Sequence, residues 1–251
     1  MYPVLDMFGY KIGSFPVCVG IGLASGVFFI FWQLKKIAAS PEHENLVMIA
    51  IPLTFICGTI GAHCTDVILH AGWKALIKTP LAYGLTFYGW LLTACIFLML
   101  YSKKCHISST YMLNLFCPAF AIAQAWGRIG CFLGGCCFGM PGKYGVIYPP
   151  NTLPYIQYGA IPLIPVQLYE SVYLFVLFFI VSRFISFQQR IAWYFMLVAA
   201  GRFGLEFFRA DNRGAFLNDL LSPSQWISIG IFIIGISIFL YNKKRKKYVC
   251  E

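Results

Sequence analysis

FPVCVGIGLASGVFFIFWQL, running from Phe15 to Leu34, contains no charged side chain and stops at Lys35 and Lys36. A helix needs about 20 mostly apolar residues to cross the hydrocarbon core of a bilayer, and this stretch supplies them. Its N-terminal flank is short of positive charge and no small-residue cleavage site follows it, so it reads as a permanent helix and not as a signal peptide. Six more segments repeat the pattern, near residues 46–65, 81–101, 111–128, 166–186, 192–209 and 225–241. The expectation is an all-α, multi-pass membrane protein with seven transmembrane helices, forming a single domain over residues 1–251. Composition agrees, because 59% of the chain is hydrophobic and 11% charged, against about one quarter charged in soluble domains.

Lysine and arginine in short loops favour the cytoplasmic side. Lys35 and Lys36 follow the first segment, Lys103 and Lys104 the third, Arg183 and Arg190 the fifth, and Lys243 to Lys247 the last. All lie after odd segments, which predicts an N-terminus outside and a C-terminus in the cytoplasm. The net charge of +10 is then mainly a topology signal with some attraction to anionic lipid, and no nucleic acid partner is expected. The opposite side holds Lys11, Lys74, Lys78, Arg128, Lys143, Arg202, Arg209 and Arg213. Three of these sit at helix ends and call for another explanation.

With that orientation the fourth segment delivers Arg128 to the outer leaflet, the fifth delivers Gln167, Tyr169 and Glu170, and the sixth delivers Arg202, Glu206 and Arg209. An arginine in a transmembrane segment is costly and usually paired or functional. Arg202, Glu206 and Arg209 are spaced i, i+4 and i+7 and share one helix face, so an Arg202–Glu206 ion pair is the structural reading. One carboxylate on that face does not also neutralise Arg128, and the positive excess suits a phosphate group. Between Gly127 and Gly139 five glycines surround Arg128; a re-entrant turn or polar cavity is expected there, with close glycine packing between helices as the rival account. Asp66, His70 and Trp73 read as an ordinary outer loop, and the tyrosine-rich stretch from Met140 to Pro162 as interfacial anchoring.

Of the ten cysteines, Cys18, Cys57, Cys95 and Cys117 lie in apolar spans, where cysteine behaves as a small hydrophobe. Cys131, Cys136 and Cys137 form a C-x4-C-C cluster that matches no zinc spacing and has no nearby histidine. No metal and no cofactor is expected.

A set of ordered motifs resembles one family, the bacterial prolipoprotein diacylglyceryl transferases. They are Gly58-x-x-Gly61-Ala62, Gly84-Leu-Thr-Phe-Tyr88-Gly89, Pro118 followed by Gly127-Arg128-Ile129-Gly130-x-Phe132, Tyr148-Pro149, Pro165-x-Gln167-Leu168-Tyr169-Glu170, Gly201-Arg202-Phe203-x-x-Glu206-x-x-Arg209-x-Asp211 and Gln225-x-x-Ser228. The resemblance implies a multi-pass protein of the bacterial inner (plasma) membrane that moves a diacylglyceryl group from phosphatidylglycerol to the lipobox cysteine thiol of a prolipoprotein signal peptide, releasing glycerol phosphate. It implies Arg128 and Arg202 as phosphate ligands, Glu206 and Arg209 orienting them, and Gln167, Tyr169 and Glu170 shaping the headgroup pocket, with Cys131 and Gly139 among the substrate-binding positions. Tyr88 stands where the family's best-known members carry a catalytic histidine, and is the candidate proton acceptor or hydrogen-bond donor. Cys131 replaces an asparagine, Cys136 and Cys137 replace a turn containing glutamate, and His63 replaces an arginine. These departures leave open a different acceptor on the same phospholipid donor, a non-enzymatic lipid transporter on the same scaffold, or a redox role for the three cysteines.

Overall fold

The computed structural model describes residues 4–7, 10–72, 84–210 and 221–249. Trp73, Lys74, Lys78, the start of the predicted third segment at 81–83, Asp211 and Arg213 lie outside these residues. The described residues are mostly helical, at 76%. Its long helices are α1 (Ser14–Lys36), α2 (Pro41–Ala71), α3 (Phe87–Lys104), α4 (Ser109–Gly134), α6 (Val166–Arg183), α7 (Arg190–Glu206) and α8 (Pro223–Val249), with a short helix α5 (Leu153–Tyr158) between α4 and α6. Among the described residues α1, α2, α4, α6 and α8 are long and apolar enough to cross a membrane. Helix α3 has 18 described residues ending in Lys103 and Lys104, and α7 has 17 and carries Arg190, Arg202 and Glu206.

Residues 1–29 with 117–251 form one compact unit, and residues 30–116 form another. In the second unit, α2 starts where Ser40 caps it, its Oγ accepting from the His43 amide at 3.3 Å ahead of Pro41. Such a cap satisfies one of the amides orphaned at a helix start. Helix α2 is longer at both ends than the 46–65 segment expected, and it absorbs Asp66 and His70, which are helical and not part of a loop. Asp66 Oδ2 accepts from the Gly84 amide at 2.7 Å, and Thr86 Oγ1 donates to the Ala62 carbonyl at 3.1 Å, so the chain entering α3 is fastened to α2. His63 Nδ1 lies 3.3 Å from the Gly84 carbonyl in the same junction.

In the first unit, α4 does not break at Arg128. It stays helical to Gly134 and turns only at Gly135 (φ 71°) and Cys137 (φ 58°). The reason is packing. A Cβ on Gly130 would come within 3.0 Å of the Cys18 Cβ, and one on Gly22 within 2.8 Å of the Ala123 carbonyl. Those glycines bring α1 and α4 together, as in small-residue packing of membrane helices. The expected re-entrant turn at Gly127 is therefore a helix, with the irregular backbone confined to the residues after Gly134.

The stretch read as a plain loop holds strand β3 (Pro141–Val146) and α5. Gly139 donates to the Ile164 carbonyl at 2.9 Å and pairs with Arg209 in an antiparallel bridge. Gly139 is required there, since a Cβ would meet Val166, the Ile164 carbonyl and the Phe208 carbonyl at 2.5 to 2.7 Å. Phe138, Tyr148 and Leu163 form a small buried core beneath this layer. An N-terminal hairpin, β1 (Val4–Met7) with β2 (Tyr10–Gly13), has no counterpart in the sequence reading.

Candidate active site

Three helices of the first unit bring their polar residues to one place. Glu170 of α6 sits between two arginines, its Oε2 3.0 Å from Arg128 Nε and 3.1 Å from Arg202 Nη1. Arg202 reaches on with Nη2 to Glu206 Oε2 at 3.1 Å, and Glu206 Oε2 lies 3.8 Å from Arg209 Nε. The charges alternate along a line, Arg128, Glu170, Arg202, Glu206, Arg209, with a guanidinium at each end. All five side chains are buried, at 10% exposure or less.

Burying isolated charges costs far more than burying a paired set, because only pairing and hydrogen bonding offset the lost hydration. The surrounding residues complete that offset. Gln124, one turn before Arg128 on α4, donates through Nε2 to Glu170 Oε1 at 3.3 Å. Ser222 donates to Glu206 Oε1 at 3.1 Å. The same Ser222 opens α8 in a reciprocal capping box, accepting from the Gln225 amide at 3.2 Å while Gln225 Oε1 accepts from the Ser222 amide at 2.9 Å. Ser-Pro-Ser-Gln is the sequence signature of such a start. The beginning of α8 is thereby fixed to the charged cluster.

A second layer carries Gln167. Its Nε2 donates to the Cys136 carbonyl at 2.6 Å, and it exchanges a hydrogen bond with the Tyr148 hydroxyl. That pair ties the turn after α4 to the start of α6. Burial pushes the Tyr148 phenol above its ordinary range. In the turn, hydrogen bonds from the Cys131 and Cys136 thiols hold Cys137 below the ordinary thiol range, with Arg128 and Arg209 acting in the same direction against burial. The same contacts push Cys136 up.

Of the residues singled out from sequence, Arg128, Glu170, Arg202, Glu206 and Arg209 come together; Gln167 holds the Cys136 carbonyl beside them, Gly139 pairs with Arg209, and Cys131 lies in the last turn of α4. Tyr169 does not join them, being 49% exposed on α6. Tyr88 belongs to the other unit, where it is 5% exposed in the first turn of α3 beside Phe87. The expected Arg202–Glu206 pair is present. The link from Glu170 to Arg128 was not foreseen, and neither were Gln124 and Ser222. Gln124 had a legible signal, a polar side chain four residues before Arg128 in the otherwise apolar run 115–127; Ser222 had its capping sequence.

Fold and site together define a helical membrane protein that buries a fixed array of paired guanidiniums and carboxylates at one group of helix ends. The model of the prolipoprotein diacylglyceryl transferase family matches residues 3–241, and the chain belongs to that family. It is 33% identical to a phosphatidylglycerol–prolipoprotein diacylglyceryl transferase of Clostridium tetani, over 98% of this chain and 100% of that one. A second enzyme of that name from Clostridium perfringens is 30% identical over 95% of this chain and 94% of its own length. One from Dehalococcoides mccartyi is 29% identical over 97% and 96%.

Proposed function

We propose that this chain transfers a diacylglyceryl group from phosphatidylglycerol to the cysteine thiol of a prolipoprotein. The thiolate sulfur attacks the glyceryl carbon next to the phosphate ester, a C–S bond forms as the C–O bond breaks, and glycerol phosphate leaves with the electron pair. The leaving group's charge is what must be stabilised in the transition state. The observation that carries this reading is Glu170, which holds Arg128 and Arg202 side by side, its Oε2 within 3.1 Å of both guanidiniums. Glu206 fixes the other side of Arg202 and approaches Arg209, so the array is set before substrate arrives. Tyr88 is the candidate acceptor of the thiol proton or hydrogen-bond donor, a role that rests on its place in the Gly84-to-Gly89 motif. Gln167, Tyr169, Glu170, Cys131 and Gly139 are the candidate pocket positions.

The cellular setting follows from the same reading. Seven helices cross the bacterial inner membrane as a single domain, with the N-terminus outside and the C-terminus cytoplasmic, and the acceptor is the lipobox cysteine of a signal peptide. Five apolar helices and the lysines at Lys35–Lys36, Lys103–Lys104 and Lys243–Lys244 support this. An open apolar groove of about 330 Å³ between α7 and α8, lined by Ala199, Phe203, Ile229 and Phe232 among others, is the candidate place for an acyl chain. The reaction as written needs no cofactor.

The test is mass spectrometry of a lipobox peptide incubated with purified protein and phosphatidylglycerol. A diacylglyceryl mass gain on the cysteine is expected. Lipid turnover without that gain would move the acceptor elsewhere, and headgroup binding without any turnover would make the chain a carrier.

A further inference from the structure

The transfer takes no chemistry from three thiols that the fold has gathered beside it. Cys131 lies in the last turn of α4 and Cys136 and Cys137 follow it in the turn, and their sulfur atoms all lie within 4.8 Å of one another. Sequence spacing did not suggest this, since C-x4-C-C on a continuous helix or strand would point the side chains apart. The turn is what converges them. Gly135 and Cys137 both have left-handed backbones, at φ 71° and 58°, a conformation uncommon for a residue other than glycine. Cys136 Sγ closes back to the Cys131 carbonyl at 3.6 Å, and Gln167 clamps the Cys136 carbonyl at 2.6 Å.

We propose that Cys131, Cys136 and Cys137 form a three-thiolate site for a soft monovalent metal ion of the copper(I) class. Sulfur-to-metal bonds of about 2.3 Å in a trigonal plane place the sulfurs about 4 Å apart, so the three atoms need only sub-ångström adjustments to close on an ion. Thiolates select soft d10 ions. Among the described residues no histidine or carboxylate joins the three sulfurs, and a three-sulfur set suits copper(I) better than zinc, whose structural sites take four protein ligands. Charge balance agrees. Three thiols lose three protons as three S–Cu bonds form, leaving two negative charges, and Arg128 and Arg209 both act electrostatically on Cys137. Copper is a ligand here and takes no part in the proposed transfer.

The experiment needs no lipid substrate, so its outcome is independent of the transferase reading. Reduced protein in detergent is titrated anaerobically with copper(I) against a chromophoric chelator, then with zinc(II). About one copper(I) per chain is expected, weakened by about a hundredfold or more in the Cys131→Ser/Cys136→Ser/Cys137→Ser variant and retained in Cys57→Ser/Cys64→Ser. Should the triple variant fold poorly, wild-type protein is alkylated with and without copper(I) and mapped by mass spectrometry. Selective protection of Cys131, Cys136 and Cys137 is the expected result. Copper binding that survives the triple substitution, protection spread over all cysteines, or a preference for zinc would each overturn the proposal.

Discussion

Helix α7 buries an arginine at each end, and the two are held in opposite ways. Arg202, near its C-terminal end, lies between Glu170 and Glu206. Arg190, at the start, is 7% exposed and meets no carboxylate among the described residues. Its Nη2 donates to the Ser182 carbonyl at 2.9 Å, its guanidinium lies 5.3 Å from the Phe187 ring centre, and its Nε and Nη1 have no partner. Arg190 closes the turn between α6 and α7, as a cation at a helix C-terminus does by binding the last carbonyls. Arg202 is part of a preorganised charge array. A buried arginine is therefore not by itself a sign of catalysis; what tells the two apart is whether other helices supply carboxylates to fix its direction.

Four substitutions sharpen or break that contrast. The largest effect is expected from Glu170→Ala, which leaves Arg128 and Arg202 facing each other without the carboxylate between them. Breaking a buried pair in this way costs roughly 3 to 5 kcal/mol, so unfolding in detergent should shift strongly and diacylglyceryl transfer should vanish. Arg202→Lys keeps the charge but loses the planar fork that spans Glu170 and Glu206. The expected loss is about 1.5 to 3 kcal/mol, or roughly 10- to 100-fold in transfer rate, with a melting curve close to wild type.

Arg209→Gln tests whether the array acts on its surroundings. Because Arg209 adds to the thiol hydrogen bonds that lower the Cys137 pKa, removing its charge raises that pKa, and the pH at which Cys137 becomes alkylated should climb. In the wild type, Cys137 should still react at pH values where Cys136, shifted the other way, does not. The smallest effect is reserved for Arg190→Leu. An apolar replacement removes the buried charge without leaving a carboxylate behind, so stability should change by less than about 1 kcal/mol, and the transfer rate and the Cys137 alkylation profile should stay at wild-type values.

The helices were legible in the sequence because twenty apolar residues flanked by lysines have few other uses. Arg202 and Glu206 were legible for a local reason, since an i, i+4 spacing places them on one face whatever the rest of the chain does. The link between Glu170 and Arg128 joins helices 42 positions apart in sequence, and no local periodicity encodes it. The end of α4 was misjudged because glycines favour both broken backbone and close helix packing. Contact of Gly130 with Phe15 and Cys18 on α1 decided for packing, a tertiary fact. The three cysteines looked unrelated to any ligand geometry for a similar reason, because their convergence depends on two left-handed residues in the turn.

The central claim is that Arg128 and Arg202, aligned by Glu170, stabilise the departing phosphate, and the rate of lipobox-peptide modification measures it most directly. With phosphatidylglycerol as donor, kcat/KM should fall by at least about a hundredfold in Arg128→Ala and in Arg202→Ala, while Arg190→Ala, matched for detergent and folded fraction, stays within a few fold of wild type. Equal losses in all three variants, or near-wild-type rates in Arg128→Ala and Arg202→Ala, would contradict the account.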